Sequence, residues 1–235
     1  ARNGDLLSDR IARATGIEIE TISGDEEARL IHLAVSHAVN LKNKHAMLID
    51  IGGGSVEVTL SRGNNILSTE SYNMGTVRLL QKLSGKPTKL PFIELVREYA
   101  EATKRRIKRE IGDSRIDLCV GTGGNIEEMG VLRKKLFKRE SDKAITLEEL
   151  GKLISALGRL TVEERMRKFK LKPDRADVIL PASIVLKMIA QEARAKEIRI
   201  PNVGLKDGIL LDLAQSLGKE AHPSPREQVW TSAMR

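Results

Sequence analysis

The stretch Met47-Leu48-Ile49-Asp50-Ile51-Gly52-Gly53-Gly54-Ser55-Val56-Glu57-Val58 decides how this chain is read. An apolar run delivers one aspartate to its tip, three glycines and a serine follow, and the chain turns apolar again. Glycine lacks a Cβ, so such a run lets backbone N–H groups come close to a ligand. Successive N–H groups aimed into one concavity make an anion site. A carboxylate beside that site repels a bare phosphate. It makes sense when it holds a cation, and Mg2+ sits between one or two carboxylates and substrate phosphates. The run therefore reads as a phosphate–metal site, with Asp50 on the metal side and Gly52, Gly53, Gly54 and Ser55 around the phosphate. No Gly-Lys-Ser/Thr follows, which excludes a Walker loop. The chain continues into a hairpin rather than a helix, which excludes a dinucleotide fingerprint.

Downstream, residues 55–61 and 66–72 read as two strands joined by the turn Arg62-Gly63-Asn64-Asn65. A helix is expected near 75–83 and a longer one from Pro91 to Ile111. Ile116 to Val120 reads as a buried strand that runs into Gly121-Thr122-Gly123-Gly124-Asn125 and another helix. A glycine loop between strand and helix offers N–H groups and the positive helix end to an anion. Alone it is a weak signal. Two such loops at two strand ends can face one cleft. Upstream, the alternation in GIEIETI (16–22) predicts a strand, and a helix is expected from about Asp25 to Asn40.

Past residue 138 the pattern turns helical. Thr146-Leu147-Glu148-Glu149 and Thr161-Val162-Glu163-Glu164 have the capping-box form. Residues 175–195 predict a long apolar helix with Pro181 near its start, 197–200 a last strand and 204–217 a last helix. A boundary near 135–145 separates an α/β part from a helical part, and 218–225 reads as a linker.

The 235 residues carry a net charge of +8, which points to polyanionic partners. Aromatic residues are only 3% of the chain, so there is little material for stacking bases, which argues against single-strand nucleic-acid binding. The single cysteine, Cys119, lies in an apolar run and reads as core; it can form no internal disulfide, which fits a reducing, cytoplasmic setting. No apolar stretch approaches the roughly 20 residues needed to span a bilayer.

Three further groups of residues bear on chemistry. A phosphoanhydride hydrolase needs a carboxylate to orient or deprotonate water. Glu26, Glu27 and Glu57 are among those nearest in sequence to the glycine run, although acidic residues also favour any first helical turn. His32, His37, His45 and His222 show no metal-ligand spacing and read as structural or surface residues. Basic clusters at 104–109, 133–135 and 165–172 read singly as solvated helix faces, and together as a track for a long polyanion.

Six stretches carry a resemblance: ISGDEEARLI (22–31), LIDIGGGSVEV (48–58), MGTVRL (74–79), GTGGNIEEM (121–129), RADVILPA (175–182) and VGLKDGILLD (203–212). In this order they resemble the exopolyphosphatase/guanosine pentaphosphate phosphohydrolase (Ppx/GppA) family of the actin–hexokinase–Hsp70 ATPase superfamily. The resemblance implies an α/β fold of ribonuclease-H-like (actin-like ATPase) lobes, with mixed sheet, flanking helices and a helical C-terminal portion. Residues 1–45 would be a remnant of the first lobe and 46–217 the second, with an α/β part to about 138 and a helical insertion over about 139–180. By the same resemblance Glu27 is the catalytic base, Glu57 helps position water or metal, Asp50 of the second phosphate motif helps hold Mg2+, and Gly121, Gly123 and Gly124, expected to bind phosphate, match the loop that corresponds to the superfamily's nucleotide-binding motif. It also implies a homodimer for the full-length protein.

One departure stands out. The family's first phosphate loop, of Asp-x-Gly-Ser-Asn-Ser type, has no match in this chain, and Trp230-Thr231-Ser232-Ala233 resembles the entry to a helical C-terminal domain of long members. The chain is thus expected to be a piece of a longer protein, weakly active or inactive alone. The expected reaction is Mg2+-dependent release of terminal phosphate from inorganic polyphosphate. The alternatives are the same chemistry on pppGpp, and a phosphate- or nucleotide-binding regulator without catalysis.

Overall fold

The computed structural model describes residues 4–83 and 91–220, with side chains to residue 217. Its frame is a six-stranded mixed sheet in the order β3-β2-β1-β4-β6-β5. β1 (His45–Ile51), β2 (Val56–Arg62) and β3 (Asn65–Tyr72) form an antiparallel meander, β4 (Leu118–Thr122) and β6 (Glu197–Arg199) run parallel to β1, and β5 (Ala144–Thr146) closes the far edge antiparallel. The β2–β3 turn needs Gly63, whose φ of 58° is the positive value that a tight two-residue hairpin requires at its first position.

Ten helices surround the described sheet: α1 (Gly4–Thr15), α2 (Gly24–Ala38), α3 (Thr76–Leu83), α4 (Phe92–Ile111), α5 (Gly124–Phe137), α6 (Leu147–Gly158), α7 (Val162–Phe169), α8 (Pro173–Ala176), α9 (Ile179–Glu192) and α10 (Leu205–Glu220). Both expected capping boxes form: Thr146 and Thr161 accept from the backbone N–H of Glu149 and Glu164, and those glutamates accept from the N-cap N–H in return. Pro181 sits in the first turn of α9, where it costs no helical hydrogen bond.

Strand parity builds the two sides of the core. Met47, Ile49 and Ile51 enter the large cluster with α4, α5, α6 and α9, whereas Ala46 and Leu48 enter a smaller one with Ile31 and Val35 of α2. Asp50 continues the second set, because side chains two apart share a face. Cys119 is buried among the first set and Val120 among the second, which puts Thr122 on the side of Asp50. In register across β2, Asp50 pairs with Glu57 and Leu48 with Thr59. One face of three neighbouring strands thus carries Asp50, Glu57 and Thr122 together at one end, under the start of α2.

α10 braces that helix. Gly208 meets the Leu30 carbonyl backbone to backbone, and Arg29 bridges Glu26 and Asp212 at 2.7 and 2.9 Å. On the opposite face, the buried Glu149 carboxylate joins Arg133 of α5 at 2.9 Å and Arg139 at 2.8 Å.

Several expectations are corrected. Residues 17–23 form no strand: Ile17, Ile19 and Ile22 are exposed, and no neighbouring strand among the described residues takes up their alternation. The helix predicted over 175–195 is two, α8 and α9, and α10 runs through Glu220, past the expected start of the linker at 218. β5, a three-residue strand, lies within the segment expected to be mostly helical. The end at Trp230 and His222 fall outside the described residues.

Candidate active site

The loop 52–55 turns between β1 and β2 and is fixed from behind by α3. The N–H groups of Thr76 and Val77 donate to the Gly52 and Gly53 carbonyls at 3.0 Å, Arg78 N–H donates to Gly53 at 3.2 Å, and Arg78 Nε donates to the Gly54 carbonyl at 2.9 Å. Gly75 makes this possible, because a Cβ there would run into the backbone of Gly53, Gly54 and Ser55. The carbonyls are therefore engaged by the protein itself. Neither the Gly53 nor the Gly54 N–H donates to a backbone carbonyl among the described residues, and a Cβ at Gly54 would meet nothing within 4 Å. Both N–H groups are thus left without an intramolecular backbone acceptor, which an anion-binding loop requires.

The second loop caps α5. Gly123 has φ 92°, and a Cβ there would stand 2.8 Å from Asp50 Oδ1, so the Asp50 carboxylate rests on this backbone. A Cβ at Gly124 would stand 3.1 Å from Cζ of Arg175, whose Nη1 donates to Asn125 Oδ1 at 3.3 Å. Gly121 does not join them. It is buried inside β4, where a Cβ would stand 2.8 Å from Ile126 Cγ2, so its missing side chain serves helix packing and not an anion.

Glu27, Asp50, Glu57 and Thr122 line one small pocket between α2 and the sheet. Its free space, about 10 Å3, suits one water or ion. The Asp50 carboxyl is raised to about 6, by burial first and then by the like charges of Glu57, Glu27 and Glu127, against a lowering by the neighbouring Thr122 hydroxyl. The Thr122 hydroxyl lies close to Asp50 yet completes no hydrogen bond of good geometry. Glu57 accepts from Ser71 Oγ at 3.0 Å. Glu26 turns away into its ion pair with Arg29, so of the two neighbours only Glu27 lines the pocket.

Mg2+ fits these residues. No group of three or more His, Cys, Asp or Glu among the described residues forms a protein-only metal cage, and Mg2+ does not require one. A buried, raised carboxylate ringed by like charge, beside an unsatisfied hydroxyl, is the donor chemistry a hard cation relieves.

The model of the Ppx/GppA phosphatase family matches residues 1–217. The chain belongs to the Ppx/GppA phosphatase family. Among curated relatives of this Ppx/GppA member, the guanosine-5'-triphosphate,3'-diphosphate pyrophosphatase of Vibrio parahaemolyticus is 25% identical over 218 residues. That match covers 92% of this chain and 43% of the relative, so the chain spans less than half of that protein. Among solved structures, an exopolyphosphatase from Cytophaga hutchinsonii superposes with a TM-score of 0.82 at 24% identity, over 91% of this chain and 71% of that one. The Aquifex aeolicus family member gives 0.76 at 23% identity, over 95% and 72%. The mixed sheet and flanking helices are thus the actin-like ATPase fold of the family.

Sequence alone does not single out Gly75, Arg78, Thr122 or Arg175. Gly75 and Arg78 lie in the MGTVRL stretch and Arg175 in RADVILPA, so both segments carry a signal. Which atom each residue touches does not show there. Two members of the basic clusters are taken up by the fold: Arg133 pairs with Glu149, and buried Arg165 donates to the Leu157 and Ala176 carbonyls at 3.0 Å.

Proposed function

We propose that this chain carries the hydrolytic site of a phosphoanhydride hydrolase that releases terminal phosphate from inorganic polyphosphate. The observation that carries the reading is the meeting of Glu27, Asp50, Glu57 and Thr122 in one pocket, beside an N–H cradle at Gly53–Gly54. Mg2+, held by Asp50, would neutralise charge on the transferred phosphoryl group.

The chain's own residues do the rest. The Gly53 and Gly54 N–H groups donate to the oxygens of the terminal phosphoryl group, where charge develops. Glu27 accepts the proton of the attacking water; the water oxygen bonds to phosphorus, the anhydride P–O bond breaks, and its electron pair leaves with the shortened chain. Glu57, held by Ser71, keeps a second carboxylate beside Asp50 to orient that water.

The same geometry serves pppGpp. The name of the Vibrio parahaemolyticus relative favours that second reading. The +8 charge favours polyphosphate. Phosphate release from both substrates, measured side by side with Mg2+ on the native protein, decides between them. Release from neither by folded protein overturns the hydrolase reading and leaves a non-catalytic anion binder. Glu27→Gln should abolish release while retaining substrate binding; loss in Glu26→Gln alone would show that the base is misassigned.

A further inference from the structure

We propose that the end of the sheet opposite Asp50 is a second anion surface, one that holds the body of a polyphosphate chain. Its ligand class rests on the hydrolase reading above; its location does not.

β1 and β4 run parallel, and Asp50 and Thr122 stand at their C-terminal ends. At their N-terminal ends two neighbouring grooves open, about 780 and 870 Å3 in volume. From His45 to Asp50 the strand covers about 17 Å at roughly 3.3 Å per residue, so these grooves are separate from the pocket of Glu27.

Arg105, Lys108 and Arg109 of α4, Arg194 and Lys196 after α9, and Lys44 before β1 line the two grooves. None of these six makes an ion pair among the described residues. The carboxylates there are mostly engaged: Asp117 accepts from the His45 N–H at 3.0 Å, Glu192 faces Lys104 at 3.8 Å, and Glu197 holds Arg199 at 3.0 Å. Asp113 remains. The surplus at this surface is therefore cationic.

A plainer account is that cations gather wherever helices end, because the helix dipole is negative there. α4 and α9 do both end here, at Gly112 with φ 56° and Arg194 with φ 51°. A cation at each end satisfies that account, and six unpaired ones exceed it. Like charges so placed repel one another and are relieved by a polyanion.

The lining also selects among polyanions. No aromatic side chain lines either groove, so bases would find nothing to stack on. Unesterified phosphate oxygens, dense in charge and without bases or sugars, are what the surface can use. A chain held here keeps its substrate near the protein between cleavage events at the other end.

The test is binding of long-chain sodium polyphosphate to the native protein, read by a mobility or anisotropy assay at low and moderate salt. The Arg105→Glu/Lys108→Glu/Arg194→Glu variant should lose at least about tenfold in affinity, and the wild-type affinity should fall steeply with salt. If the reversed variant does not fold by circular dichroism, the Gln series at the same positions replaces it and should show a smaller loss of the same sign. Unchanged affinity in a folded variant overturns the surface. Duplex RNA binding there more tightly than polyphosphate overturns the ligand class. Binding that the variant loses, in a protein that hydrolyses nothing, would leave the surface standing and remove the hydrolase reading instead.

Discussion

The Asp50 carboxylate lies on the backbone of Gly123, with Oδ1 2.8 Å from where a Cβ would be. One residue ends the first glycine-loop strand and the other caps the helix after the second. Their contact joins the two loops into a single floor.

That floor costs stability. The Asp50 carboxyl is raised from 3.8 to about 6, first by burial and then by Glu57, Glu27 and Glu127. A carboxyl raised in the folded state keeps its proton while the unfolded chain has lost it. The metal-free protein is thus destabilised as pH rises from about 4 to 6, and the penalty is complete above that. It amounts to about 3 kcal/mol at most. Asp50→Asn should therefore raise the Tm of the metal-free protein at pH 7, remove most of this pH dependence and abolish phosphate release. Calorimetry across that range checks it.

The glycines of the site are not equivalent. Gly54 has an ordinary φ and open space where a methyl group would stand, whereas Gly75 has the loop backbone there. Gly54→Ala should leave the Tm nearly unchanged and weaken phosphate release, because the methyl group takes up room meant for the anion. Gly75→Ala should lose about 1–3 kcal/mol or more through forced backbone movement. Urea melts and phosphate release on the two variants check the contrast.

Arg175 should act on substrate through the second loop. Its guanidinium lies on Gly124 and donates to Asn125. Arg175→Ala should raise KM more than it lowers kcat, and Arg175→Lys should restore little, because a lysine has no planar fork. Steady-state kinetics with both variants check it.

The far side of the sheet has its own acid-sensitive joint. Burial pushes the Glu149 carboxyl up, but hydrogen bonds from Arg133, the Thr146 backbone and Arg139 outweigh it and hold it at about 2. A depressed carboxyl contributes stability that is full above about 4.5 and lost as pH falls toward 2. Glu149→Gln should cost about 3 kcal/mol or more at pH 7, since it leaves two arginines without their shared partner. The variant should also lose less stability than wild type on acidification. Denaturant melts at pH 7 and pH 3 check both.

Much of the frame was legible from residue order. The apolar runs of β1 and β4 and the hairpin turn at Gly63 are local signals, and the sheet follows them closely. The alternation at Ile17, Ile19 and Ile22 misled because alternation makes a strand only where a neighbour pairs with it. β5 is three residues long, too short for any period to show. Of the site, the glycine run and Glu27 could be found because they sit in contiguous motifs. Arg175 could not be placed, since it reaches Gly124 only through the packing of α8 and α9. Gly121 looked like its neighbours in sequence; only strand parity shows that it faces Ile126.

Gly75 has a consequence of another kind. Because α3 holds the loop carbonyls, the orientation of the Gly53 and Gly54 peptides is decided when that helix forms, before any anion arrives. Binding then loses little entropy in ordering the cradle. The reverse also holds: an event that frays the first turn of α3 would let those peptides flip and offer oxygen where nitrogen stood.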